Sequence, residues 1–388
     1  MGDIHENLIP IVDYQVLGKL PDLFTMEDGT PVTDQASWER RRKELYKTAV
    51  ELQYGTIPPD PEFLEVELLD DGGEIRSYRI VTGRRACPVS FVMRVLTPVG
   101  QGPFPVIVDG DLCWRYAFDR EYLNAALDNG VMLVLFNRTE LVPDRADAGR
   151  NGPLYKAYPE YTFGALGAWA WGYSRCVDAL GILGLADMDN LAFCGHSRGG
   201  KAALLAGVLD RRASVVNPND AGAGGAGCYR IHMSAIQENG NVQRNEQLSD
   251  LVDERFPFWF GPELRAYSGR EADLPFDEHF LKALVAPRIL LETEAASDIW
   301  ANPVGSWQTA MAAKEAYRFL GAEENLLLYY RRGYHEHSVS DLKKLVTILN
   351  QKKAGEPFEA GSFQLPFQKQ ELIFDWRCPE KKGDIVHG

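Results

Sequence analysis

Residues 191–210 read LAFCGHSRGGKAALLAGVLD. The apolar run Leu191–Cys194 predicts a buried strand, and the Ala- and Leu-rich run after Ser197 predicts a helix. Between them, residues 195–199 (Gly-His-Ser-Arg-Gly) fit the pattern G-x-S-x-G. In this pattern the serine stands on a sharp strand-to-helix turn, which requires small flanking residues. The N-terminus of the following helix favours developing negative charge beside the hydroxyl. Ser197 is therefore predicted to be a nucleophile.

Short apolar runs alternate with helical segments on both sides of this turn. The predicted strands of this region begin with PVIVDG (105–110) and end with LLLYYRR (326–332). Nearly continuous apolar strands separated by helices indicate a parallel sheet covered on both faces. We predict an α/β-hydrolase fold, a three-layer sandwich with a mostly parallel central sheet, as one domain over residues 1–388. Within it, we predict a helical N-terminal extension (1–60) and a cap-like insertion that roofs the active site (221–275).

A serine hydroxyl becomes nucleophilic only when a neighbouring base takes its proton. His335 follows the last predicted strand, which gives the chain order serine, acid, histidine that this fold uses. His337 is the alternative base. His335 and His337 could also form a metal-binding pair, but no third ligand lies near them in sequence, so no metal ion is predicted.

Two aspartates are candidates for the residue that orients this histidine. Asp298 follows the predicted strand RILLETE (288–294) and a short loop, which is the usual acid position of the fold. Asp220 ends the predicted strand SVVNPND (214–220), directly after the helix that follows Ser197. Either carboxylate could hold the imidazole in the required tautomer and stabilise the imidazolium. Sequence spacing does not choose between them.

Composition excludes several classes of protein. The net charge of −14 gives no basic surface for nucleic acid, so no nucleic-acid partner is predicted. No apolar stretch is long enough for a membrane helix, so no membrane partner is predicted either. The first twenty residues do not read as a secretory signal, which predicts a cytoplasmic protein unless a leader has been trimmed. No cofactor is predicted, and the oligomeric state is left open.

Several separate blocks have a more specific pattern. They are ALGAWAWGYSR (165–175), SRGGK (197–201), PNDAGAGG (218–225), CYRI (228–231), LPFD (274–277) and APR (286–288). Together these blocks resemble the glucuronoyl esterases, a carbohydrate-esterase family with the α/β-hydrolase fold. The resemblance covers roughly residues 105–340.

The resemblance implies roles for the residues around the nucleophile. Ser197 would attack, His335 would act as base, and Asp220 falls where many members of the family place a catalytic glutamate. Arg198 would assist the oxyanion hole through its backbone N–H and its guanidinium. A permanent cation beside a tetrahedral oxyanion is physically reasonable.

The same resemblance implies a sugar-binding set. Lys201 and Gln243 would contact sugar hydroxyls, and Trp300 would pack against the sugar. Lys201 lies four residues after Ser197, and hence on the same face of the predicted helix. The alternatives are a solvated helix charge for Lys201 and core packing for Trp300.

The chain also departs from the family pattern. His196 stands where the family usually has a cysteine, which removes one half of a disulfide, although Cys228 is kept. Asp220 is one methylene shorter than glutamate, which favours Asp298 as the acid. The acidic substrate-binding residue expected in the insertion has only approximate matches, Asp253 and Glu254.

These observations predict a serine carboxylic-ester hydrolase that forms an acyl-enzyme on a glucuronoyl or 4-O-methyl-glucuronoyl ester of a carbohydrate. One alternative is an acetyl-xylan or other small-acyl esterase. Another is a non-catalytic carbohydrate-binding relative, against which the intact Ser197 and His335 argue. The cations Arg198 and Lys201 favour the uronate ester, because they suit a carboxylate product.

Overall fold

A computed structural model describes residues 8–358, 365–368 and 370–380. The described residues contain twelve strands: β1 (Ile11–Val16), β2 (Phe63–Asp71), β3 (Ile75–Arg84), β4 (Cys87–Leu96), β5 (Phe104–Asp109), β6 (Met132–Phe136), β7 (Ala186–His196), β8 (Val215–Asn219), β9 (Ile231–Ile236), β10 (Val242–Arg244), β11 (Ile289–Ala295) and β12 (Leu326–Arg331). The α-helices in the same residues are α1 (Gln35–Tyr46), α2 (Leu52–Tyr54), α3 (Arg120–Leu127), α4 (Pro153–Ala157), α5 (Ala165–Leu183), α6 (Arg198–Leu209), α7 (His279–Val285), α8 (Pro303–Leu320) and α9 (Val339–Ala354).

The central sheet has nine strands in the order β12-β11-β8-β7-β5-β6-β4-β3-β2. The six strands from β12 to β6 pair in parallel, whereas β4, β3 and β2 continue the sheet antiparallel. This arrangement confirms the predicted mostly parallel sheet of the α/β-hydrolase class.

Helices cover both faces of the sheet, and strand β6 shows why its sequence is apolar throughout. Met132, Val134 and Phe136 enter one hydrophobic core, while Leu133 and Leu135 enter the other. Helices α5 and α6 pack together on the first side, and α3 and α9 pack together on the second. A strand buried on both faces cannot alternate apolar with polar residues, which explains the continuous apolar runs.

The N-terminal segment differs from its prediction as a helical extension. Residues 11–16 form a strand, β1, that pairs antiparallel with β9, and β10 completes this small sheet. Only from Gln35 does the segment become helical, where Asp34 and Ser37 form a capping box. The pairing partner of β1 lies more than 200 residues away in the chain, so local sequence could not reveal it. Residues 1–7 of the predicted extension lie outside the described residues.

Parallel pairing brings the ends of four strands to one edge of the sheet. Ser197 follows β7, Asp220 follows β8, and the loops after β11 and β12 carry Asp298 and His335. Residues widely separated in the chain therefore meet at this edge, which is where open α/β sheets bind ligands. Among the helices of the described residues, none is both long and apolar enough to cross a membrane.

Candidate active site

Ser197 stands between the end of β7 and the start of α6. Its backbone is in the left-handed region, with φ of 57°, an unfavourable conformation for a residue with a side chain. A Cβ on Gly195 would collide with the backbone of Gly199, and one on Gly199 would collide with Asp111. The backbone N–H of Ser197 donates to the Asn219 carbonyl at 2.8 Å, which ties the turn to β8. The turn is therefore strained, close-packed and held from the neighbouring strand.

A buried ion pair also holds this turn. The backbone N–H of His196 donates to Asp111 Oδ2 at 2.7 Å, and Asp111 pairs with the guanidinium of Arg138. Both side chains of the pair are fully buried, and Arg138 stacks on the Trp169 ring with its Cζ 4.9 Å from the ring centroid. Since an unpaired buried charge is costly, this pair fixes the residue before the nucleophile firmly.

His335 lies on the loop after β12, with its ring beside the nucleophile. Its Nε2 is 2.9 Å from Ser197 Oγ, and its Nδ1 is 2.5 Å from Asp298 Oδ2. A carboxylate can only accept, so Nδ1 carries a proton and Nε2 is left to accept the serine proton. The Asp298 side chain is 1% exposed, whereas that of His335 is 37% exposed toward the site. Of the two candidate acids, Asp298 is the one that the structure hydrogen-bonds to His335.

Asp220 lies close to this chain of hydrogen bonds with other partners. Its Oδ1 accepts from the backbone N–H of Ala295 at 2.7 Å, and its Oδ2 is 3.4 Å from Arg331 Nη2. Carboxylate oxygens of Asp220 and Asp298 and a ring nitrogen of His335 all lie within 4.8 Å of one another. Burial, followed by the charge of Asp298, raises the pKa of Asp220 well above its usual range. Asp220 is thus a buried neighbour of the acid that favours its neutral form.

The alternative base, His337, is directed elsewhere. Its Nδ1 bonds the Tyr122 hydroxyl at 3.1 Å, and its Nε2 lies 3.8 Å from Cys194 Sγ. Burial lowers the pKa of His337 to about 3, so the ring is neutral. The ring nitrogens of His335 contact Ser197 and Asp298, whereas those of His337 contact Tyr122 and Cys194. The two histidines are therefore directed at different partners.

Arg198 is held beside the nucleophile by one carboxylate and by three aromatic rings, those of Trp114, Phe256 and Trp259. Its Nη1 donates to Asp144 Oδ2 at 2.9 Å, and its Cζ lies 4.7 Å from the centroid of the Trp259 ring. The Trp259 ring stacks on that of Phe256 at 3.8 Å and donates from Nε1 to Asp144. Arg198 Nε is a buried donor without a hydrogen-bond partner among the described residues. A buried N–H without a partner costs free energy, so this guanidinium is held by Asp144 and the surrounding rings at the expense of one hydrogen bond.

Lys201 is buried behind the site. Its ammonium donates to the carbonyl of Ala221 at 2.7 Å, to that of Ala223, and to Glu246 Oε2 at 2.6 Å. These three bonds use all its N–H donors, and its side chain is 3% exposed. A direct sugar contact by Lys201 stays a prediction. What the structure places there is a lysine that holds Glu246.

One cavity of about 630 Å³ is lined by Ser197, His335, Asp298 and Arg198 together with Gln243 and Trp300. We call it the nucleophile cavity. Arg255 lies over the Trp300 ring at 5.1 Å, and Arg244, which pairs with Asp250, lies over it at 5.6 Å. Trp300 is thus part of the cavity wall, and its contact with a sugar stays a prediction.

Sequence reasoning missed several residues of this cavity, and Glu246 is the most important of them. It belongs to the predicted cap insertion, three residues after Gln243. The approximate matches Asp253 and Glu254 do not line the cavity, and Asp253 instead bonds Arg265 and Ser268. Glu246 could have been identified from its closeness in sequence to Gln243, which the resemblance assigns to sugar binding. The structure also leaves Cys228 as a free, buried thiol that contacts Asp277.

Ser197 stands strained at a strand-to-helix turn and is hydrogen-bonded to His335, which is hydrogen-bonded to the buried Asp298. This arrangement defines a class of enzyme. The fold and site are those of a serine-type carboxylic-ester hydrolase with the α/β-hydrolase fold.

Comparisons with known proteins are more specific. The family described as "Glucuronyl esterase, fungi" matches residues 81–321. A 4-O-methyl-glucuronoyl methylesterase of Neurospora crassa is 31% identical over 86% of this chain and 82% of its own length. That of Podospora anserina is also 31% identical over 80% of this chain, which spans 62% of that relative. The chain belongs to the glucuronoyl esterase family.

Solved structures agree in fold over nearly the whole chain. A carbohydrate esterase family 15 glucuronoyl esterase from Caldicellulosiruptor kristjansonii has a TM-score of 0.81 at 30% identity, covering 94% of this chain and 98% of the other. A mutant glucuronoyl esterase from Sporotrichum thermophile, in complex with methyl 4-O-methyl-β-D-glucopyranuronate, has a TM-score of 0.71 at 26% identity, covering 92% and 91%.

Proposed function

We propose that this protein hydrolyses esters of glucuronic acid and 4-O-methyl-glucuronic acid within carbohydrates. The observation that carries the proposal is the hydrogen-bonded series Ser197–His335–Asp298 opening into the nucleophile cavity. Relatives named as 4-O-methyl-glucuronoyl methylesterases support this acid portion, as does the sugar ester bound to the Sporotrichum thermophile enzyme.

In the first half of the reaction, Ser197 Oγ attacks the ester carbonyl carbon as its proton passes to His335 Nε2. The carbonyl oxygen becomes an oxyanion beside Arg198. The guanidinium of Arg198 and its backbone N–H, at the N-terminus of α6, stabilise this negative charge. Asp298 stabilises the imidazolium without taking its proton. When the tetrahedral intermediate collapses, the bond to the alcohol oxygen breaks and His335 delivers the proton to that oxygen. The alcohol departs and the uronoyl group remains on Ser197.

In the second half, water replaces the alcohol. His335 takes one proton from the water, the hydroxide adds to the acyl carbon, and the bond to Ser197 Oγ breaks as the proton returns to the serine. The product is a uronic acid, which ionises at neutral pH. The nucleophile cavity is lined by Arg198, Arg244 and Arg255 as well as by the carboxylates of Asp298 and Glu246. The arginines there can attract an anionic product.

The polar wall of the nucleophile cavity suits a sugar ring better than a small acyl group. Gln243 and the carboxylate of Glu246 offer acceptors to hydroxyl groups, and Trp300 contributes an aromatic ring to the wall. The bond to Lys201 fixes the Glu246 carboxylate, which reduces the conformational entropy lost when a substrate binds. A cavity of about 630 Å³ would leave an acetyl group largely without contacts.

The test measures hydrolysis of methyl glucuronate beside that of an acetylated xylo-oligosaccharide, with Ser197→Ala as the control. We expect release of glucuronic acid that Ser197→Ala reduces by several orders of magnitude. Cleavage of the acetyl ester alone would replace the proposed substrate with a small-acyl one. Equal rates in the parent and Ser197→Ala would overturn the mechanism.

A further inference from the structure

The loop that carries His335 is not anchored by buried apolar side chains. It runs over residues 332–336, after strand β12, and every residue in it except Gly333 is exposed. Burial of apolar surface therefore does not fix the position of the loop. Proton transfer nevertheless requires His335 Nε2 to stay within hydrogen-bond reach of Ser197 Oγ. Polar contacts must hold the loop instead.

The guanidinium of Arg331, the last residue of β12, makes these contacts. Arg331 is buried, with 5% of its surface exposed. Its Nη1 donates to the main-chain carbonyl of Arg332 at 3.2 Å, and its Nη2 donates to those of Tyr334, at 3.3 Å, and Glu336. Tyr334 and Glu336 are the residues on either side of His335. One side chain thus holds the main chain both before and after the histidine.

Two buried carboxylates keep this guanidinium in place. Arg331 Nε donates to Asp341 Oδ2 at 2.7 Å, and Nη2 lies 3.4 Å from Asp220 Oδ2. Asp341 Oδ2 also accepts from the backbone N–H and the hydroxyl of Ser338, both at 2.9 Å, where α9 begins. Neither carboxylate is exposed. If the guanidinium moved away, it would leave buried charges unpaired, which is costly.

The main chain around the Arg331 guanidinium is closely packed and is joined to the loop that carries Asp298. A Cβ on Gly333 would lie 2.6 Å from Arg331 Nη1, and the φ of Gly333, 120°, is one that residues with side chains rarely adopt. The N–H of Ala296 donates to the Arg331 carbonyl at 2.8 Å, and that of Ser297 donates to the Gly333 carbonyl at 3.2 Å. The loops after β11 and β12 are thus fixed to each other beside this side chain.

We infer that Arg331 is the residue that positions His335 for catalysis: by holding the main chain on both sides of the histidine, it fixes the 2.9 Å distance between His335 Nε2 and Ser197 Oγ. Arg331 is not one of the described residues that line the nucleophile cavity, so it acts through His335. A displacement of about 1 Å in such a group can cost about 10²-fold in rate. The inference rests on the serine mechanism of the proposed function but not on the identity of the acid.

The first experiment measures kcat and KM of Arg331→Lys on methyl glucuronate and on phenyl acetate. Lysine keeps a positive charge for Asp341 but lacks the planar set of donors that reaches several carbonyls at once. We expect kcat to fall about 10²-fold on both esters, with KM unchanged within about twofold. Rates are measured at a temperature at which thermal unfolding curves show that each variant is folded. A folded Arg331→Lys with the kcat of the parent would overturn the inference.

The matched control is Arg288→Lys. Arg288 is a partly buried arginine that also donates to three main-chain carbonyls, those of Gly207, Asp210 and Ala213. It precedes β11, at the end of the sheet opposite the catalytic residues. Both substitutions remove hydrogen bonds of a guanidinium, so both should lower the free energy of unfolding. Only Arg331→Lys should lower kcat, and an equal loss of kcat in the two variants would show a general effect of destabilisation instead.

A second variant perturbs the same contact without removing the charge pair, and it decides the question if Arg331→Lys does not fold. Gly333→Ala leaves Arg331 opposite Asp341 but places a methyl group against Nη1. We expect kcat to fall about tenfold or more, with little change in KM. A folded Gly333→Ala with the kcat of the parent would contradict the inference.

Proton NMR reports the position of His335 independently of turnover. The Nδ1 proton, in its short bond to Asp298, should give a low-field resonance that Asp298→Asn removes. We expect this resonance to shift or broaden in Arg331→Lys and to stay unchanged in Arg288→Lys. An unchanged resonance in Arg331→Lys would refute the positioning role.

The two esters separate this inference from the proposed function. If phenyl acetate is cleaved, methyl glucuronate is not, and Arg331→Lys lowers kcat on phenyl acetate, the proposed acid is wrong and the positioning role stands. If methyl glucuronate is cleaved at the same kcat by the parent and by Arg331→Lys, the proposed function stands and the positioning role is wrong.

Discussion

Replacing Asp298 should have a far larger effect on catalysis than replacing Asp220, although both carboxylates lie beside His335. Asp298 accepts the Nδ1 proton over 2.5 Å from a nearly fully buried position. In Asp298→Asn the amide N–H₂ can face Nδ1 instead, which stabilises the tautomer with the proton on Nε2. That tautomer cannot accept the proton of Ser197. The expected loss in kcat is about 10⁴-fold, or ~5.5 kcal/mol in the transition state.

Asp220→Asn should behave differently, because an amide oxygen can still accept from the Ala295 N–H. The raised pKa of Asp220 favours its neutral carboxyl, so the substitution changes little charge near His335. We expect kcat to fall less than about tenfold, ~1.4 kcal/mol. The assay is initial-rate hydrolysis of methyl glucuronate, with circular dichroism and thermal unfolding to establish that each variant is folded. An Asp220→Asn loss equal to or greater than that of Asp298→Asn would refute the assignment of Asp298 as the acid.

Three further predictions concern the groups around this acid. Arg198→Ala should lower kcat about 10²- to 10³-fold, and a raised KM with unchanged kcat would show instead that Arg198 only binds substrate. Lys201→Met leaves the Glu246 carboxylate buried and unpaired, so urea unfolding should show a loss of ~3–5 kcal/mol. The double variant with Glu246→Gln should recover part of that loss, and a single-variant cost below ~1 kcal/mol would contradict the argument. His337 has its pKa lowered to about 3 in the folded state from 6.5, so the unfolded chain binds a proton first as the pH falls. Its contribution to stability is complete above pH 6.5 and is lost between pH 6.5 and 3, by up to ~5 kcal/mol. Urea unfolding of His337→Gln should depend less on pH in this window, and a slope equal to that of the parent would disprove it.

Features of the fold that depend on neighbouring residues could be predicted, whereas those that depend on remote contacts could not. The turn at Ser197 could be predicted because strand, small residues and helix are all contained in residues 191–210. The parallel sheet could be predicted because strands buried on both faces must be apolar along their whole length. The N-terminal strand β1 was missed because its partner β9 is remote in sequence.

The residues of the active site fall into the same two groups, those that the sequence identifies and those that only tertiary contacts identify. The sequence alone determined the fold class, the serine turn, the position of His335 and two possible acids, since each depends on residue type and order along the chain. Only the tertiary structure decided which acid meets His335 Nδ1, because Asp298 and Asp220 leave neighbouring strands and their separation from the ring depends on loop geometry. The same holds for Glu246, whose value to the site depends on an ion pair with a helix lysine 45 residues earlier. Contacts of this kind are set by packing at long range, and no local pattern encodes them.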